Sequence, residues 1–106
     1  MSITRPKTGW NLHRIATHPG EILREEFMKP FGLSANRLAL NLRVPATRIN
    51  DIVRGQRGVT AETALRLSRY FGNSPEFWMN LQTAHDLSEA RLKSQKMIDA
   101  EVRSIA

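Results

Sequence analysis

The stretch SANRLALNLRVPATRINDIVRG, residues 34–55, decides the fold. Ser34 suits an N-cap, because its hydroxyl can accept from a backbone N–H that a first helical turn leaves unpaired. Leu38, Ala39 and Leu42 follow at helical spacing. Pro45 then opens a second helix with Ile49, Ile52 and Val53 on its inner face, and Gly55 stops it. Only Arg43 and Val44 separate the two helices, too little chain for a long antiparallel hairpin. The spacing therefore predicts a sharp helix–turn–helix corner. Ala39 is small where the helices must approach, and Leu38, Leu42, Val44, Ile49 and Ile52 would brace the corner from behind.

Working outward, Pro19 and Gly20 open an earlier helix carrying Ile22, Leu23 and Phe27, ended by Pro30 and Gly32. Thr60 caps a fourth helix expected to bury Ala64, Leu65, Leu67 and Phe71, with Gly72 as its stop. Ser74-Pro75-Glu76 begins a fifth with a cap, a first-turn proline and an acid that suits the helix dipole. Beyond Leu87 the apolar residues thin out to Leu92, Met97, Ile98, Val102 and Ile105. That tail can continue as exposed helix, pack on a second subunit, or fray. The expected architecture is all-α: a basic leader (1–16), a five-helix domain (17–87) and a helical C-terminal tail (88–106).

A chain of 106 residues, 41% hydrophobic and 25% charged, suits one ordinary globular domain. No run approaches the ~18 uninterrupted apolar residues of a membrane span. The basic leader lacks the apolar block of a secretory signal. With no cysteine there is no disulfide, thiol chemistry or Cys-zinc site, and a cytoplasmic location is expected. The formal net charge is +6. Between residues 34 and 70, seven arginines stand against Asp51 and Glu62, so this window carries +5 of it. Arginine's planar fork matches phosphate and guanine edges better than a lysine ammonium does.

If the second helix of the corner lies outward, it can enter a major groove of duplex DNA. Its outward residues are Ala46, Thr47, Arg48, Asn50 and Asp51, the candidate base readers. Arg48 can clamp guanine O6 and N7, and Asn50 can pair an adenine edge. Thr47 can meet a thymine methyl, while Asp51 can accept from cytosine N4 or orient Arg48. Ser34, Arg37, Arg43, Arg54 and Arg57 are placed to hold phosphates. The competing reading is a solvated basic face without a ligand. His13, His18 and His85 lack the i, i+4 pairing of a helical metal site, and His18 before Pro19 suits the start of a helix. Glu25 and Glu26 point in different directions on a helix. No catalytic set, metal site or cofactor is expected.

The run Pro45-Ala46-Thr47-Arg48-Ile49-Asn50-Asp51-Ile52-Val53-Arg54-Gly55-Gln56-Arg57-Gly58-Val59-Thr60 resembles the recognition region of HigA-type antitoxins, within the wider phage-repressor-like helix-turn-helix proteins. The resemblance continues through Ala61-Glu62-Thr63-Ala64-Leu65-Arg66-Leu67 and Ser74-Pro75-Glu76-Phe77-Trp78-Met79-Asn80-Leu81-Gln82, and begins at His18-Pro19-Gly20-Glu21-Ile22-Leu23. It implies a five-helix lambda-repressor-like fold and a homodimer that represses its own operon from an inverted-repeat operator. It also implies neutralisation of a HigB-like toxin, a ribosome-dependent mRNA endonuclease. One departure is Arg43, at a turn position often held by glycine in the wider family; with φ > 0 it would be strained by about 1 kcal/mol.

Phe77 and Trp78 are neighbours and cannot face the same way, so one is free to seek a second surface. Repressor dimers bind half-sites about 34 Å apart, which makes Phe77, Trp78 and Leu81 candidates for a dimer interface. Trp10, alone in the basic leader, is either loosely packed or an anchor for a partner. Two other readings stay open: a stand-alone repressor without a toxin, and a protein-interaction module that no longer touches DNA.

Overall fold

In the computed structural model, which describes residues 14–106, helices succeed one another with no strand among the described residues. Helix α1 (Pro19–Ile22) runs into a π-helical segment, π1 (Leu23–Met28). The corner is built from α2 (Ala35–Leu42) and α3 (Ala46–Val53). Helices α4 (Ala61–Phe71) and α5 (Pro75–Glu101) complete the chain. Trp10 and His13, with the rest of residues 1–13, lie outside the described residues.

Side-chain caps start the helices where the sequence places them. Ser34 accepts from the N–H of Arg37, Thr60 from that of Thr63 and Ser74 from that of Phe77. His18 caps α1 through a ring nitrogen, Nδ1, which accepts from the N–H of Gly20 at 2.9 Å. The π turn is a feature the periodicity did not announce. Its wider winding sets Leu23 and Met28, five residues apart, on one buried face.

Arg43 ends α2 in the left-handed region, φ 63°. The Val44 N–H then reaches back to the Ala39 carbonyl at 3.0 Å, satisfying a helix end that would otherwise be unpaired. The turn is therefore of the kind that favours glycine, and arginine here stores about 1 kcal/mol of strain.

Leu23, Leu38, Ile49, Ile52, Leu67 and Trp78 are fully buried and form the centre of one core. Phe27 gathers an aromatic cluster beside it, its ring 5.0 Å from those of Phe71 and Trp78 and 5.8 Å from Phe77. Two expectations are corrected. Leu65 is exposed, because neighbouring helix positions diverge and Ala64 and Leu67 already take the inner face with Thr63 and Ser68. Trp78, expected at a dimer surface, is a core residue with 0% exposure, its Nε1–H donating to Asn73 Oδ1 at 3.0 Å. Phe77 is the more exposed neighbour and Leu81 is partly buried.

α5 runs unbroken through the expected boundary at 87/88 and at 27 residues is about 40 Å long. Its first half is tied down. Gln82 accepts the buried N–H of Val59 at 2.7 Å, and Ser88 accepts the N–H of Ala16 at 2.8 Å. Beyond Ser88, Leu92, Met97, Ile98 and Val102 are all exposed.

Candidate nucleic-acid interface

The chain positions α3 by gripping its buried side and both ends. Ile49 and Ile52 are fully buried. Gly20 lies so close beneath the carbonyl of Ile52 that a Cβ there would overlap it, so α1 meets the end of α3 backbone to backbone. Arg24 donates from Nη1 to the Val53 carbonyl at 3.1 Å, filling an acceptor that the helix end leaves open. The loop after α3 is held in turn by Gln82, whose side-chain amide so crowds Gly58 that a Cβ there would sit 3.0 Å from it.

His18 sits under the same junction. Its ring lies near Gly55 and 4.8 Å from the ring of His85 on α5. Burial, with the nearby His85, holds its pKa below the ordinary 6.5; Asp86, a hydrogen bond with the Arg57 backbone and Glu89 oppose that shift. The neutral ring fits its work, because Nδ1 must keep a lone pair to cap Gly20.

The opposite face of α3 is open. Ala46 and Thr47 are exposed, while Arg48, Asn50 and Asp51 are half-buried. Their pairings differ from expectation. Arg48 is oriented by Glu62 of α4, Nη1 to Oε1 at 3.4 Å, and Asp51 pairs instead with Arg57 at 3.6 Å. Asn50 spends its amide donors locally, on the Ala46 carbonyl at 2.9 Å and on Asn36 Oδ1 at 3.3 Å. Its carboxamide must release one of those bonds to make a bidentate pair with adenine.

Around this face, Arg37, Arg43 and Arg54 are exposed and carry no ion pair among the described residues, as does Arg69 of α4. Arg57 is tempered by Asp51, and the Ser34 hydroxyl is occupied as a cap. Asn36, Glu62 and Arg66 were not singled out from sequence. Glu62 and Arg66 do show there as an i, i+4 pair. The link from Glu62 to Arg48 spans fourteen residues and leaves no local signature.

Among the described residues no group of three or more His, Asp or Glu could hold a metal ion, and no helix is long and apolar enough to cross a membrane.

A family model described as Helix-turn-helix matches residues 25–78. Virulence-associated protein I of Dichelobacter nodosus is 60% identical over 82 residues, 77% of this chain and 76% of its own. Antitoxin HigA-1 of Vibrio cholerae is 38% identical over 78 residues, covering 73% of this chain and 72% of its own. The structure of Pseudomonas aeruginosa antitoxin HigA with the higBA promoter is similar over 85% of this chain and 98% of that one, with 48% identity and a TM-score of 0.82.

Proposed function

The chain belongs to the helix-turn-helix family, among the HigA-type antitoxins, and on that premise we propose that it is a homodimeric repressor of its own operon that also neutralises a HigB-like mRNA endonuclease. Relatives of this kind are DNA-binding regulators and antitoxins rather than enzymes, and the mechanism is binding without chemistry. One observation carries the DNA reading: α3 is buried along its inner side while Thr47 and Arg48 lie on its open side, among Arg37, Arg43 and Arg54, which carry no ion pair among the described residues. Phosphate contacts from those arginines set register, and Arg48 reads a base edge.

Dimerisation is supported by the exposed apolar residues of α5 beyond Ser88 and by the need to span two half-sites. Phe77 and Leu81 are the remaining candidates from the sequence, since Trp78 is spent on the core. The toxin partner is carried over from the HigA-type relatives, and cytoplasmic residence rests on the cysteine-free sequence.

The test is binding of the purified chain to a duplex it enriches from a randomised pool, against a random duplex of equal length. Arg48→Ala should weaken the enriched duplex selectively, by about 1–3 kcal/mol. Arg54→Ala should weaken both alike and reduce the salt slope by about one unit. Equal losses for the two variants on both duplexes would sink the base-reading assignment. Co-purification with the product of the adjacent gene tests the antitoxin half. Tight operator binding without such a partner would leave a stand-alone repressor.

A further inference from the structure

Four groups form a continuous chain between the corner and the open face of α3. The carbonyl of Leu42, at the end of α2, accepts from Arg66 Nη1 at 2.9 Å. Arg66 Nη2 meets Glu62 Oε2 at 3.4 Å, and Glu62 Oε1 meets Arg48 Nη1 at 3.4 Å. Glu62 thus uses both carboxylate oxygens, one toward a fixed arginine and one toward the arginine on α3. Its side chain is 64% exposed, so the ion pairs add little to stability. Their consequence is geometric. Arg66, tethered to α2, holds the carboxylate, and the carboxylate holds Arg48.

We propose that Glu62 sets the sequence selectivity of DNA binding as a positioning residue for Arg48. This rests on the reading of α3 as the base-reading helix. A free arginine on this rim would satisfy itself on any phosphate, as Arg37, Arg43 and Arg54 are placed to do. Tied through Nη1 to Glu62, Arg48 is less free to swing to a phosphate and keeps its other N–H donors for a base edge. The carboxylate also stands where a misplaced phosphate would meet like charge. Correct docking offers Arg48 a bidentate partner that outweighs the pair, whereas incorrect docking offers neither. Asp51 restrains Arg57 in a looser version of the same arrangement, at 3.6 Å.

The experiment measures affinity and salt dependence on the enriched and random duplexes for the full chain, Glu62→Gln, Arg48→Ala and the double variant. Glu101→Gln at the far end of α5 controls for the same change of charge, and thermal melting checks that each variant folds. Glu62→Gln should tighten random-duplex binding about tenfold, with a salt slope steeper by about 0.9, one added phosphate contact. Enriched-duplex affinity should change less than about threefold, so discrimination falls. In the Arg48→Ala background the effect on discrimination should vanish.

The proposal is overturned if Glu62→Gln moves both duplexes by one common factor, as Glu101→Gln should, or if the effect persists without Arg48. If Arg48→Ala is itself unselective, the base-reading assignment fails first. A selective Arg48→Ala with an unselective Glu62→Gln overturns only the role of Glu62. Failure to enrich any duplex overturns both.

Discussion

Residues 75–88 of α5 bury Trp78, Gln82 and Ser88 against the domain, whereas residues 89–101 of the same helix leave Leu92, Met97 and Ile98 exposed. Both halves carry apolar residues and good helix formers, and no break separates them. What differs is whether another element lies opposite. α4, the loop after α3 and the segment before α1 all meet the first half. In the second half Glu89 still faces His18, whereas Leu92, Met97 and Ile98 are exposed. The first half is therefore part of the scaffold that positions α3, and the second half leaves its apolar side chains exposed.

The sharpest way to break this comparison is at Trp78. Trp78→Ala should destabilise the domain by about 3–5 kcal/mol in urea unfolding, since the cavity lies among Phe27, Phe71 and Phe77 and cannot readily close. A loss under about 1 kcal/mol would mean that the packed half is not anchored there. Gln82→Ala should cost about 1–3 kcal/mol, because the buried Val59 N–H loses its acceptor. It should also weaken DNA binding more than its effect on melting explains, by loosening the loop that follows α3.

A smaller effect is expected from pH. His18 in the folded chain has its pKa below 6.5, so on acidification the unfolded chain takes up the proton first. Stability should fall as pH drops below about 6.5 and level off once the folded ring is also protonated. His18→Asn, which keeps an acceptor for the Gly20 N–H, should flatten that pH dependence. An unchanged profile would remove His18 as its source. The smallest change belongs to the free half. Leu92→Ala with Met97→Ala should alter monomer stability by no more than about 0.5 kcal/mol per site. If that face joins two copies, the pair should shift the protein toward monomer in light scattering at dilute concentration.

Much of this was legible in the sequence because it is local. Ser34, Thr60 and Ser74 each cap within three residues, and Gly55 and Gly72 adopt the positive φ that a helix stop uses. Adjacency required Phe77 and Trp78 to diverge, but which one faced inward depended on where Phe27 and Asn73 would stand. The outward residues of α3 were readable from their spacing against Ile49 and Ile52. Their partners were not. Asp51 looked suited to orient Arg48 from one turn away, yet Glu62 does so from another helix.

By itself the sequence determined where the helices start, the corner between α2 and α3, and the arginine-rich character of one window. These follow from caps, periodicity and charge, which act over a few residues. Only the tertiary structure decided that Arg43 closes the corner in a left-handed conformation, that Trp78 belongs to the core and that Glu62 holds Arg48. The last two depend on groups distant in sequence meeting at a few ångströms, where packing and ion pairing select one of several locally acceptable arrangements; the first is a local choice between turn conformations that residue type alone leaves open.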